Sequence, residues 1–458
     1  MIGDTWLRLE TQLVRKGLST ISPATFSGWS DTSPPWELQP GESVDDNRPA
    51  GVLVVDYGDY SSGGALSLQD TLDAIRTAAT EPYYVRMPAG VYSFSDFHYA
   101  AAAGVGRCYQ DVAATKYFGG LIGAGADQTI ITVDPEVMTG TQLAGITAGS
   151  PSPVQTHVIY TSSEAAIGVP VFFSGITFRG GLQQEISLSG LTGTAPAPYT
   201  GLYVVRAKAG SMIQYCRFEG FGFAAKNSPP YETGAIVSLR ADYTILRCEI
   251  DGRISAAIDP AQPVASGGIM QNYETTASVI GSWQHSTRRS GYAMHGQDVS
   301  EGGNASDLGV YSCTDFQVEG ICDTPDSWAG SSLGFTPSNI EELKRTFTYT
   351  RPRFTASPSV NGPAHITVGT TNGNDLAEQI IVTDPVIGNT DYNGCLYVRF
   401  VRVPNAYGDS PYYTAYVNGG LSALPVTVTQ GGVTLAPVLN TDYSSATHTP
   451  DSSFIVQV

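Results

Sequence analysis

Glu219 and Asp251 are the first residues in this chain whose types and spacing could do chemistry. Each follows an apolar residue (Phe218, Ile250) and precedes a glycine, and Arg179 takes the same place one unit earlier, between Phe178 and Gly180. Strand alternation turns the apolar residues inward and the charged ones outward. Stacked one strand apart, two carboxylates lie about 5 Å from each other, the separation at which a retaining glycosidase pairs its nucleophile with its acid/base. The same stacking also makes a solvated charge ladder, with Arg217 over Glu249 one position earlier.

A second cluster holds Trp283, His285, Arg288, Arg289, Tyr292 and His295. An exposed Trp or Tyr offers a flat apolar face to a sugar ring, and Arg offers a fork of donors to hydroxyls or carboxylates. These six residues are expected to bind glycan. The competing reading makes the Trp a core residue and the Arg pair a subunit contact. No metal or cofactor is expected: the chain has no CxxC pair, no EF-hand loop, no tandem GGxGxD repeat and no glycine-rich phosphate loop.

Both clusters sit inside an internal repeat. Residues 200–225 and 233–257 align with one gap, and the [ST]-Gly start recurs at Thr200, Thr233, Ser266 and Ser290. A second position recurs at Ile176, Cys216, Cys248, Ile280 and Cys313, in steps of 40, 32, 32 and 33 residues. Arg351-Pro352-Arg353-Phe354 and Asp384-Pro385-Val386-Ile387 continue it 33 residues apart, and Gly362 lies 32 residues before Gly394. Roughly seven units follow from this spacing. Each unit holds short β-branched and aromatic runs broken by Gly, Asn and Ser, too short for helices and too few for propeller blades. The expected fold is all-β, a coil of short strands repeating every 32–33 residues, with Cys216, Cys248 and Cys313 buried as small hydrophobes in an interior ladder.

The one clear helix lies upstream, where Leu68, Leu72, Ile75 and Ala79 fall on one face. Ahead of it stand Asp56-Tyr57-Gly58, and after it Pro88-Ala89-Gly90-Val91-Tyr92. With these residues, the segment 52–92 resembles the N-terminal entry of the pectate-lyase-like superfamily of right-handed parallel β-helices. The resemblance implies that the helix caps the coil, and it is silent on chemistry because the fold hosts lyases, hydrolases, epimerases and binders. The Asn-Thr-Asp, Asp-Asp, Gly-His-Gly and Arg-x-Lys set of its polygalacturonase branch is missing, with Met294-His295-Gly296 a partial echo.

The chain divides by sequence into an N-terminal attachment arm (1–50, with a short amphipathic helix at Trp6, Leu9 and Leu13), a β-helix (51–418) and a small C-terminal β cap (419–458). Of 458 residues, 51 are Gly, 28 are Pro and only 14% are charged, while 41% are hydrophobic, which excludes wholesale disorder. A net charge of -18 repels phosphate backbones and anionic membrane faces, so neither nucleic acid nor membrane insertion is expected. Six cysteines are too sparse for a disulfide scaffold, and the N-terminus lacks an apolar secretory stretch. A β-helix that meets polysaccharide outside a cell yet folds in a reducing cytoplasm looks like a bacteriophage tail spike or fibre, released by lysis. The expected partners are tail or baseplate proteins through residues 1–50, host surface polysaccharide, and two further copies in a homotrimer in the virion tail. The alternatives are a polysaccharide hydrolase or lyase on the same coil and a bacterial adhesin.

Overall fold

The computed structural model describes residues 28–64, 66–95, 99–101, 105–110, 118–133, 155–162, 169–180, 199–224, 234–239, 241–253, 264–272, 276–287, 292–297, 310–320, 333–335, 346–354, 366–370, 379–388, 395–402, 426–436, 438–439 and 452–458. The chain forms two units, Met1–Pro34 and Pro35–Val458. In the first, a turn is closed by paired backbone hydrogen bonds between Ser30 and Ser33. The helix expected around Trp6, Leu9 and Leu13 lies outside the described residues.

The second unit is a right-handed parallel β-helix, as expected. Among the described residues three sheets of 12, 9 and 13 strands run along it, and a typical coil gives one strand to each in turn. One coil reads Ser211–Gln214, Arg217–Glu219 and Ile236–Leu239; the next reads Asp242–Leu246, Glu249–Asp251 and Val264–Asn272. Parallel strands joined by crossovers coil right-handedly because the strand twist permits only that hand of return. The nine strands of the second sheet exceed the seven units counted from spacing. Early coils depart from the period: Tyr84 pairs with Gly120 and Ile122 with Ser174.

Register sets the columns of the core. Phe178, Phe218 and Ile250 are stacked in successive coils, all buried, and the Phe178 and Phe218 rings lie parallel at 5.2 Å. Cys216 and Cys248 are neighbours inside, as expected, and Glu249 N donates to Cys216 O at 2.9 Å. Cys313 belongs to a different column. It pairs with Val279, which pairs with Ile245, so the residue above Cys248 is Ser282 and not Ile280. The repeat counted by spacing slips two residues there because the coils after residue 248 are 34 residues long rather than 32 (Leu246 to Ile280, Ile280 to Thr314).

Cys108, Cys216, Cys248 and Cys313 are free thiols and buried. Burial pushes the Cys248 and Cys313 thiols well above their usual range. These four should stay unlabelled by a water-soluble maleimide in native protein and react once denaturant is added. Labelling of any of the four within minutes in buffer, read by mass spectrometry, would contradict the packing.

One tight turn joins the first sheet to the second in successive coils, and its residue adopts a left-handed backbone. The positions are Gly175, Tyr215, Arg247, Gly281, Asp315, Arg351 and Asp384, with φ between 47° and 66°. Six of the seven hydrogen-bond upward in one pattern: the turn N–H of Tyr215 donates to Leu246 O, that of Arg247 to Ile280 O, and so on to Asp384 and Thr429 O, at 2.7–3.0 Å. Gly175 makes the same bond to Gln214 O at 3.2 Å. A non-glycine residue in this region costs about 1–2 kcal/mol, which the continuous ladder offsets. Side chains in the column pair too: Arg351 forks onto Asp315 at 2.7 and 2.8 Å, and the Arg247 guanidinium lies 5.3 Å from the Tyr215 ring centre.

The helix runs Leu68–Ala78, with the Ser67 hydroxyl accepting from Asp70 N and with Leu68, Leu72 and Ile75 in the core of the first coils. Residues 35–48 form a strap laid lengthwise along the solenoid. Arg247, Gln214, Ser174 and Arg86, from four coils, bind it at Glu42, Asp46, Val44 and Asp45 respectively. Gly175 is small for a reason, since a Cβ there would stand 2.5 Å from the Val44 methyl. At the other end Val426–Gln430 still pairs in parallel with Gln379–Thr383, and Ser452–Gln457 then runs antiparallel along Cys395–Arg402.

Candidate functional site

Three successive strands of the second sheet, Arg217–Glu219, Glu249–Asp251 and Trp283–Thr287, bring the candidate residues together. Their inward column is Phe218, Ile250 and Gln284; their outward columns are Arg217, Glu249, Trp283 and Glu219, Asp251, His285. Arg179 pairs with Glu219 one coil below. The expected alignment is therefore the one found. The expected solvation is not: Glu219 is 6%, Glu249 2% and Asp251 2% exposed.

Arginines hold these buried carboxylates. Arg217 reaches all three, at 2.6 Å to Glu219, 3.1 Å to Glu249 and 3.2 Å to Asp251. Arg179 adds a 2.6 Å bond to the other oxygen of Glu219. Arg253 bonds Asp251 from its backbone N–H at 3.0 Å and through Nε at 2.8 and 2.9 Å. His285 Nε2 meets Glu249 Oε1 at 2.8 Å, and the Trp36 indole N–H donates to Oε2. Three cations thus balance three anions, which is what burial of charge demands.

This geometry does not fit an acid/base pair. Burial alone would raise the Asp251 carboxyl, but the Arg253 hydrogen bond and the charge of His285 outweigh it and hold the carboxyl below its usual range. A glycosidase acid needs the opposite direction. Both Asp251 oxygens accept from arginine, as do both Glu219 oxygens, so each carboxylate is held as the anion of an ion pair.

Among the described residues the expected glycan cluster is divided between two sheets. Trp283 is 3% and His285 4% exposed, stacked on each other with centres 4.0 Å apart. Both project from the outer face yet are packed under neighbours, because His285 turns its ring to Glu249 and Trp283 closes over it. Neither can offer a face to sugar, and Trp283→Ala would empty a buried site rather than remove a ligand contact. Tyr292 and His295 lie on another sheet, on strand Tyr292–Gln297, opposite Gly267 and Met270. Arg288 and Arg289 lie outside the described residues. Residue types alone missed Trp36, which meets Glu249 across 213 residues of sequence. Arg253 was readable in principle, two residues after Asp251.

No protein-family model matches the chain, and no curated protein matches it. Among solved structures it is similar to the ORF18 protein of Geobacillus virus E2, at 9% identity and a TM-score of 0.35, over 77% of this chain and 62% of that one. It is also similar to pectin methylesterase from carrot, at 12% identity and a TM-score of 0.34, over 80% and 91% of the two chains. A third is PfbA, a surface adhesin of Streptococcus pneumoniae, at 9% identity and a TM-score of 0.26, over 88% and 98%. This chain thus spans less than two thirds of the viral protein's length. The fold is a parallel β-helix. For this β-helix the strand order carries that conclusion, and likenesses this distant say nothing of its activity.

Proposed function

We propose that this chain is a structural and binding β-helix, a phage tail-spike-like subunit that contacts host envelope glycan without cutting it. One observation carries the choice of binder over enzyme: the aligned carboxylates Glu219 and Asp251 are buried and paired on both oxygens with Arg179, Arg217 and Arg253. Ionic stacking of this kind ties coil to coil. Rigidity along a long axis suits a protein that projects from a particle, and the acidic, lysine-poor composition with five Lys among 24 basic residues suits one that stays soluble until it docks.

The reading has a mass and a product test. Light scattering at micromolar concentration is expected to give three chains of 48.4 kDa, and a single-chain mass would exclude the trimer. Incubation with envelope polysaccharide is expected to release neither reducing ends nor unsaturated sugars. Turnover that disappeared in Glu219→Gln or Asp251→Asn would make the chain an enzyme.

A further inference from the structure

The outer face of the first sheet changes chemistry along its length. In the coils near the strap its two outward columns hold Phe172, Met212 and Thr244 in one and Ser174, Gln214 and Leu246 in the other, all buried. There Ser174 donates to Val44 O at 2.6 Å, and Gln214 donates to Asp46 O at 2.5 Å. The face thus already binds one polar segment, a run of turns over residues 43–48, through side-chain donors.

The same columns continue past the strap as hydroxyls. Strand register carries them through Ser312 and Thr314 to Thr348 and Thr350, then to Ile381 and Thr383, and finally to Thr427 and Thr429. The residues between them, Cys313, Tyr349, Val382 and Val428, are buried, so the hydroxyl positions point outward, and each is half-buried or exposed. Seven of these eight positions carry a hydroxyl and none carries charge. Coils stack at about 4.8 Å, giving two straight rows of groups that each donate and accept.

We propose that this face, from Ser312 to Thr429, binds an uncharged polysaccharide. The inference rests on the glycan-binding reading above and gives it a site and a ligand class. A neutral sugar chain presents hydroxyls of the same dual character. An anionic one would meet a protein of net charge -18 on two columns that, among the described residues, carry no cation, with the neighbouring Arg351 forked onto Asp315. The Thr314, Thr350, Thr383 and Thr429 column is also the one through which Ser174 and Gln214 hold the strap, so the occupant would lie along the coil axis.

The test uses the purified full chain on an array of uncharged and anionic polysaccharides. Binding is expected on uncharged members only, and the triple variant Thr314→Val, Thr350→Val, Thr383→Val is expected to weaken it by about tenfold or more, since each lost hydroxyl removes a hydrogen bond while keeping a β-forming shape. Serine at the same three positions should keep binding, which separates a lost hydroxyl from a lost fold. Undiminished binding by the valine variant would overturn this site while leaving a glycan binder intact. Preference for anionic members would overturn the ligand class. A variant that binds normally but loses its trimer mass would make the face a contact between copies. Absence of binding to every glycan would sink the proposed function itself, and the site with it.

Discussion

Replacement of Arg247 by Ala is expected to detach the strap and destabilise the protein by about 3–5 kcal/mol, the cost of breaking a buried ion pair from one side. Arg247 is 2% exposed, and its guanidinium donates to Pro35 O at 2.8 Å, to Glu37 O and to both oxygens of Glu42. Without it two carbonyls lose this donor and the Glu42 carboxylate is left to Gln39 N, which donates at 2.6 Å. The strap would then be held by Trp36 on Glu249 and by Val44, Asp45, Asp46 and Asn47 on Ser174, Arg86 and Gln214. Two measurements check this: the denaturant midpoint should fall, and limited proteolysis should newly cut within residues 35–48. Arg247→Lys keeps the charge but not the fork, so it should recover only part of the loss. An unchanged midpoint with a protease-resistant strap would show that the remaining contacts suffice.

The strap also explains where sequence reading stopped. Period and alternation describe contacts between one coil and the next, and these were readable: Glu219 on Asp251, Arg217 on Glu249, Cys216 on Cys248 and the 32-residue step from Ile366 to Val398 all stand in register. Residues 35–48 have no repeat. Their partners lie 41 to 213 residues away, and nothing in a Pro- and Glu-rich stretch names Arg247 or Gln214 as the groups that receive it. The misplaced Cys313 shows the second limit: a column read by residue type follows the recurring type past a change of coil length, and by Cys313 it stands three residues from Phe316, which continues the column of Cys248 and Ser282.

Exposure was the least readable property of the candidate site. Outward-facing charged and aromatic residues were expected to meet solvent, since alternation separates only inside from outside. Burial of Glu249 and Asp251 follows from what lies over them, Trp36 and the stems of Arg217 and Arg253. Trp283 and His285 were read as a sugar platform because an aromatic beside a base suits one. Their 4.0 Å stacking consumes that surface, and the hydroxyl face passed unnoticed because Thr in a strand is ordinary.

The arginine at the centre of the carboxylate network sets the second large effect. Arg217→Met is expected to cost about 3 kcal/mol at pH 7, the low end for a broken buried pair because Arg217 keeps 24% of its side chain exposed. The loss falls on Glu249, left to His285 and Trp36, and on Asp251, left to Arg253. Acid should narrow the gap between variant and parent. The Asp251 carboxyl lies below its unfolded value of about 3.9, so its contribution is complete above that pH and fades as pH falls through the lower folded value. Asp242, raised by burial, works the other way and gains stability on protonation. Denaturation curves at pH 7 and pH 3 decide it. A difference between Arg217→Met and the parent that is as large at pH 3 as at pH 7 would place the effect in packing of the Arg217 stem, not in its charge.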